Sequence, residues 1–359
     1  MAKFDIIIPV YNASLYLSSS LNSVLNQTYK DFRIIAVDDK STDNSLEILK
    51  QYEEKYPNLI TVIESPINVG AGEARNMALR ISQAEYVTFL DSDDALDLTI
   101  LEKVHNIIIE FNPDMIVANT YFNYQGIDVN FLGMQRDSNN KSQLIVPREH
   151  KRHIYEDRPG VTSKFIKREI ITTEFPNIKW EDYPFVIPYL CSVNSIYYLQ
   201  DTGYYYRINP FNTTISDMKK FNPRVLDIFT GSDIIVDTLG PALCEHYKDE
   251  LRIVKTMNCL QRVRDLCFVT NISKEDRMLL ANYLVNLINV REGNYQALDY
   301  YHYQKKATTF YRLRMYMVGK LMTPYLQRET NPEVIKQKIK NITKKYQWYF
   351  FILLIHLSI

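Results

Sequence analysis

The sequence predicts an α/β protein in which a mostly parallel sheet is flanked by helices and followed by an appended helical C-terminal part. Three observations predict it. Short apolar runs rich in Ile, Val and Phe alternate with helix-periodic segments from residue 4 to residue 122. Polar side chains gather just after four of those runs. Beyond about residue 219 the apolar positions recur with helical spacing only. At 359 residues and 46% hydrophobic content the chain can bury a substantial core, and its length suits two domains, placed at 1–218 and 219–359.

The elements follow in order. FDIIIPV (4–10) reads as a buried strand, and Asn12-Ala13-Ser14 opens a helix in which Leu17, Leu21, Val24 and Leu25 share a face. FRIIAV (32–37) is a second strand, closed by Asp38 and Asp39. Ser41 or Thr42 is placed to cap the helix DNSLEILKQYEEKY, which Pro57-Asn58 stops. ITVIE (60–64) is a third strand, Ala71 to Ile81 a helix and 86–90 a fourth strand. Residues 97–111 form a helix with Asp97 as its N-cap, and 115–122 a fifth strand. Parallel strands need crossovers of this length, and such connections are right-handed.

Ligands of sheets like this bind outside the carboxyl ends of the strands. Pro9, Tyr11 and Asn12 fall there after the first strand, and Asp38-Asp39 after the second. Asn68 to Asn76 follow the third, and Asp91, Ser92, Asp93 and Asp94 the fourth. Four strand ends carrying polar groups on one rim predict a single site.

Several chemistries are excluded. Lys plus Arg and Asp plus Glu both number 42, and a formal charge of zero argues against a nucleic-acid partner. VGAGEAR offers Gly70 and Gly72, but Arg75 stands where a dinucleotide fingerprint needs its third glycine, and the element follows the wrong strand. No GxxxxGK[ST] is present. A diphosphate would then need another counter-charge, and FLDSDDALD supplies the means to hold one. Clustered carboxylates repel unless a cation or solvent sits among them, and Mg²⁺ or Mn²⁺ takes one or two carboxylates alongside phosphate oxygens. His105, His150, His153, His246, His302 and His356 make no metal-spaced cluster, and PREHKRH is expected in a flexible acceptor-side loop. Cys191, Cys244, Cys259 and Cys267 lack CxxC spacing and read as reduced thiols. No signal peptide and no apolar run long enough to span a bilayer is expected.

PVYNASLYLSSSLNSVLNQTY, VDDKSTDNS, NVGAGEARNMAL and FLDSDDALD, in this order and spacing, resemble glycosyltransferase family 2 with its GT-A nucleotide-sugar-binding fold. The resemblance is close over about the first 110 residues. It resumes more loosely in SKFIKREII (163–171), WEDYPF (180–185) and YYYRINPFNTT (204–214). It implies an inverting, metal-dependent transferase moving one sugar from a UDP-sugar to a hydroxyl of a cell-surface glycan or polyprenyl-linked oligosaccharide. A dTDP-rhamnose donor, a protein-bound glycan acceptor, or a non-catalytic nucleotide-sugar-binding protein are the alternatives. No QxxRW is present, which disfavours processive synthases. A nucleotidyltransferase would want a glycine-rich N-terminal loop, and PVYNAS is not one.

By the same resemblance, Pro9, Tyr11 and Asn12 form a base-binding corner, and either Asp38 or Asp39 accepts from uracil. Asn68 shapes a turn, and Gly70 permits close backbone approach. Arg75 contacts a phosphate or the base. Asp93, after Ser92, ligates Mn²⁺ or Mg²⁺ on the diphosphate, Asp91 contacts the ribose or the metal's shell, and Arg207 closes over the diphosphate. Asp182 is the base, Glu181 orients the acceptor, and Trp180 stacks on a sugar. The C-terminal helices suit oligomerisation, acceptor binding or membrane docking. Lys336, Lys338, Lys340, Lys344 and Lys345 precede an apolar run from Tyr346, so about 336–359 reads either as an interfacial helix with Trp348 and Tyr349 at headgroup depth or as a helix buried in the domain core. Docking would place the protein peripherally on the inner face of the cell membrane, in the cytoplasm.

Overall fold

The computed structural model describes residues 2–124, 127–128, 142–156, 160–207, 224, 227–255 and 258. Four parallel strands lay down the first half of the sheet: β1 (Phe4–Val10), β2 (Phe32–Asp38), β3 (Ile60–Glu64) and β4 (Tyr86–Phe89). Between them run α1 (Leu17–Leu25), α2 (Ser45–Lys55) and α3 (Ala71–Ile81). The chain continues through β5 (Ala95–Leu96), α4 (Ile100–Phe111), β6 (Met115–Tyr124), β7 (Ile127–Asp128) and β8 (Gln143–Ile145). It ends with α5 (His153–Glu156), β9 (Lys164–Lys167), α6 (Asp182–Ser192), β10 (Ile196–Arg207) and α7 (Asp227–His246).

The spatial order is β3-β2-β1-β4-β9-β6-β10-β5, with β7 on β6 and β8 on β10. Strand β9 runs antiparallel to both β4 and β6, so the sheet is mixed in its second half. Side chains alternate between two cores, as the pleat requires. Phe4, Ile6, Ile8 and Val10 of β1 join α1, α2 and α4 on one face, while Ile7 joins α3, α6 and α7 on the other. Both faces are therefore covered, and the inner strands read as continuous apolar runs for that reason.

Several element boundaries differ from the sequence reading. Helix α1 begins at Leu17 because residues 13–16 form a turn, with the Tyr16 and Leu17 amides both donating to the Ala13 carbonyl. Neither Ser41 nor Thr42 caps α2. Asp43 takes that part by accepting from the Ser45 amide and hydroxyl, while Ser41 and Thr42 bond Asn12. Helix α4 starts at Ile100, not 97, since Ala95 and Leu96 are drawn into β5 against β10. Asp97 still serves the entry: its carboxylate accepts from the Thr99 amide and hydroxyl.

PREHKRH departs from the expected flexible loop. His153 is buried on α5, with its ring nitrogens 2.7 Å from the His150 carbonyl and 2.8 Å from that of Leu190, so it ties α5 to the end of α6. Cys191 and Cys244 are free thiols, the first buried. The apolar face of α7 packs on α6, with Ile228, Phe229, Ile235 and Leu239 in the α3–α6 core. Among the described residues no helix is long and apolar enough to cross a membrane. Most of the 219–359 unit, including the lysine-rich 336–359 segment, lies outside the described residues, as do 129–141 of the segment 124–147, whose weak periodicity in the sequence suits a lid or acceptor loop.

Candidate active site

The polar ends of β1 to β4 converge. At the end of β1, Pro9 is buried and Tyr11 half-exposed on the rim. Asn12 adopts φ +50°, a left-handed conformation in which Asn is among the few tolerated residues. Its carboxamide oxygen accepts from the Thr42 amide at 2.7 Å, which joins the β1 and β2 loops.

Asp38 and Asp39 do different work. Asp39 reaches the next loop, accepting from the Val69 amide at 2.6 Å and the Gly70 amide at 2.8 Å. Burial raises its pKa, opposed by those two amides and aided by the Asp38 charge. Asp38 accepts the Ser41 amide at one oxygen, while the other is buried without a partner. Asn68 donates to the Asp39 carbonyl and shapes the same turn, as expected.

Gly70 takes a backbone conformation that favours glycine. Its φ is +85°, and a Cβ there would meet nothing within 4 Å. A close approach within the protein falls at Gly72, two residues on. A Cβ at Gly72 would lie 3.0 Å from Glu181 Cγ and 3.3 Å from Phe175 Cβ. The second glycine of the rejected dinucleotide pattern was the sequence signal for this contact.

Arg75 sits at the centre. Its side chain is 5% exposed, and it reaches three carboxylates brought from two places in the chain. Nη2 donates to Asp91 Oδ1 at 2.9 Å; Nη1 donates to Glu181 Oε1 at 2.7 Å and to Asp182 Oδ1 at 3.2 Å. Burial works against the charge, but Asp182, Asp91 and Glu181 outweigh it, so the guanidinium pKa is raised. Nε–H is buried without a partner. The guanidinium carbon lies 5.4 Å from the Phe175 ring centroid, and Phe175 stacks on Phe185 at 3.7 Å, which gives the cluster a rigid floor.

Glu181 and Asp182 stand at the start of α6, where a carboxylate complements the helix dipole. Desolvation lifts the Asp182 carboxyl up to about 7; Arg75 and the Val161 amide lower it, while Glu181 and Asp91 raise it. Trp180, just before, adopts φ +61° and is half-buried against the α6 core.

The Asp91–Asp94 turn is held from β10. Tyr204 accepts from the Asp91 amide and donates to Asp94 Oδ2 at 2.5 Å, and the Arg207 amide donates to Asp94 Oδ1 at 2.7 Å. Asp94 is wholly buried, and burial pushes its pKa well above the usual carboxylate range, with Asp93 and Asp91 adding to the shift. Tyr204 was missed in the sequence because one tyrosine among YYY carries no mark of being the inward one. The Arg207 guanidinium donates to the Asp93 carbonyl at 2.8 Å and to Ser19 Oγ at 3.0 Å, beside the Tyr16 ring.

Asp91, Ser92 and Asp93 remain half-buried on the rim, so the two acids fit a hard divalent cation by donor chemistry. Asp91 Oδ1 is engaged by Arg75, leaving the other oxygen for such an ion. Among the described residues no group of three His, Cys, Asp or Glu is arranged to hold a metal. A cation here would therefore share its shell with a ligand's oxygens.

Residues 5–168 match the family model described as Glycosyl transferase family 2. An uncharacterized glycosyltransferase of Haemophilus influenzae is 34% identical over 221 residues, which is 61% of this chain and 84% of that protein. The poly(ribitol-phosphate) beta-N-acetylglucosaminyltransferase TarS of Staphylococcus aureus is 30% identical over 210 residues, 57% of this chain but only 35% of TarS. A crystal structure of a 1–349 fragment of S. aureus TarS in complex with UDP-GlcNAc covers 82% of this chain and 93% of its own, with a TM-score of 0.54 at 21% identity, a likeness of fold. With strand ends, paired acids and the Haemophilus relative in agreement, the chain belongs to glycosyl transferase family 2 and is a glycosyltransferase of GT-A-like fold.

Proposed function

We propose that the chain transfers a single sugar, with inversion, from a UDP-sugar to a hydroxyl of a cell-surface glycan. The observation that carries this reading is that Arg75 joins Glu181 and Asp182, at the start of α6, to Asp91 at the end of β4. A base and a donor-binding acid are thereby set at one rim. Tyr11 offers an exposed ring to a nucleobase, and the Asp38–Asp39 strand end offers it carboxylates. Asp93 and Asp91 would hold Mn²⁺ or Mg²⁺, which when bound supplies positive charge to the departing diphosphate. Asp182 takes the proton of the acceptor hydroxyl as its oxygen forms a bond to the anomeric carbon, while the bond from that carbon to the diphosphate breaks and UDP leaves with the electron pair.

The relatives favour a wall polymer as acceptor. TarS acts on poly(ribitol-phosphate) by its name, so a polyol-phosphate chain is the first acceptor to test. The chain spans about a third of TarS, so the acceptor reading rests on the shared catalytic half. Peripheral association with the inner membrane face is part of the reading and rests on the lysine-rich 336–359 segment.

The test is a panel of UDP-, dTDP- and GDP-sugars with Mn²⁺, read by thermal stabilisation and by nucleotide release with and without poly(ribitol-phosphate). Stabilisation and turnover confined to a UDP-sugar support the proposal. A response only to dTDP-rhamnose would replace the donor, and binding with no turnover on any acceptor would count against an enzyme of this kind.

A further inference from the structure

We propose that Arg75 is a positioning residue for the base: it clamps Asp182 and Glu181 to Asp91, so that the proton acceptor and the donor-binding strand end are held in one fixed relation. The proposal rests on Asp182 being the base, and it departs from the expectation that Arg75 contacts phosphate or nucleobase.

The geometry carries it. Asp91 lies 16 positions from Arg75, while Glu181 and Asp182 lie 106 and 107 away, yet one buried guanidinium bonds all three. Its N–H groups leave the planar carbon in fixed directions, so a carboxylate on Nη1 and another on Nη2 cannot move independently. A lysine ammonium has no such fork. Both terminal nitrogens, which would otherwise address a diphosphate, already bond protein carboxylates, and Nε–H is buried. Two further contacts make the clamp stiff: Phe175, stacked on Phe185, backs the guanidinium, and Gly72 lets Glu181 pack so closely that a Cβ would stand 3.0 Å from its Cγ and force it to shift. Asp182 has its second oxygen on the Val161 amide at 3.4 Å, a long bond that fixes its orientation weakly. Arg75 is thus its principal restraint.

A base displaced by about 1 Å can lose on the order of 100-fold in rate. Arg75→Ala and Arg75→Lys should lower kcat by roughly that factor, a clearly larger effect than the rise in donor dissociation constant, measured calorimetrically with the UDP-sugar and Mn²⁺, that loosening Asp91 brings. Added guanidinium ion should restore part of the kcat of Arg75→Ala, which a merely structural role would not allow. Residues acting as one unit are non-additive, so Arg75→Ala placed on Asp182→Asn should lower the residual rate by less than about threefold more. The opposite pattern overturns the clamp: donor affinity lost equally in both backgrounds with kcat at saturating donor unchanged makes Arg75 a donor contact. If Arg75→Ala fails to fold, Arg75→Lys decides by the same split between kcat and donor affinity. Wild-type transfer by Asp182→Asn alone would remove the base assignment itself, whereas loss in that variant with additive loss in the double variant would remove only the clamp.

Discussion

Tyr204→Phe removes one oxygen and no packing volume, so it isolates the hydrogen bonds that hold the Asp91–Asp94 turn. That hydroxyl donates to Asp94 Oδ2 at 2.5 Å and accepts from the Asp91 amide at 3.2 Å, with Tyr204 and Asp94 both wholly buried. In the variant Asp94 keeps the Arg207 amide but loses its partner on Oδ2, and the Asp91 amide loses its acceptor. Each buried group left unsatisfied costs about 1–3 kcal/mol, so two cost about 2–6. Protonation sets the upper end lower. Burial already raises the Asp94 pKa and the Tyr204 hydroxyl opposes that rise, so the variant sheds the charge more readily and the loss settles at about 2–4 kcal/mol. At roughly 2–4 °C per kcal/mol for a domain of this size, Tm should fall by about 4–16 °C. Calorimetry with and without Mn²⁺ and a UDP-sugar measures it. Donor stabilisation should shrink as well, because Asp91 and Asp93 lose their anchor. A Tm within about 2 °C of wild type, with donor binding intact, would refute the reasoning.

Other expectations follow from the same geometry. Asp182→Asn should cut transfer by about 10²–10⁴-fold while donor binding persists, and retained transfer would show that another group is the base. Since the Asp182 carboxyl is raised to about 7 from an ordinary 3.8, kcat/KM for the donor should climb with pH through about 7, and a flat profile from about pH 5.5 to 8.5 would contradict the assignment. The same group should make the folded state less stable as pH rises from about 4 to 7, because only the folded protein keeps that proton, with no further change above; denaturant melts follow it. Asp93→Ala should weaken donor affinity and abolish its dependence on Mn²⁺, and an unchanged titration would remove Asp93 from the metal's shell. Gly72→Ala gains about 1 kcal/mol of helix propensity but overpacks Glu181 by about 1–3 kcal/mol, since the stacked Phe175 cannot yield. It should lose both Tm and transfer rate, and wild-type values for the two would show that Glu181 moves freely.

The regular elements of the first half were legible because their signals are local. Continuous apolar runs and period-3.6 patterns in 4–111 mark the buried strands and the sheet-facing sides of the helices, and the strand ends inherit their polar residues directly from the sequence. Boundaries were less legible where a distant strand intervened. Residues 95–96 pair with β10, more than a hundred positions on, and that pairing delays α4 to Ile100. Strand β9 was invisible for the same reason: KFIK is too short to announce itself, and only β4 and β6 on either side make it a strand. His153 was misplaced because polar neighbours disguise a buried ring whose partners are backbone carbonyls.

By itself, the sequence determined the fold class through residue type and spacing and pointed to the rim where polar strand ends gather, while its resemblance to the family supplied the candidates Asp91, Asp93, Glu181 and Asp182. The tertiary structure alone decided which of them meet. Arg75 meets Glu181 and Asp182 across more than a hundred residues, Tyr204 meets Asp94 across 110, and Gly72 lies against Glu181 while Gly70 takes its positive φ. Such contacts are made by packing two cores against one sheet, and they depend on distances between elements that no pattern along the chain encodes.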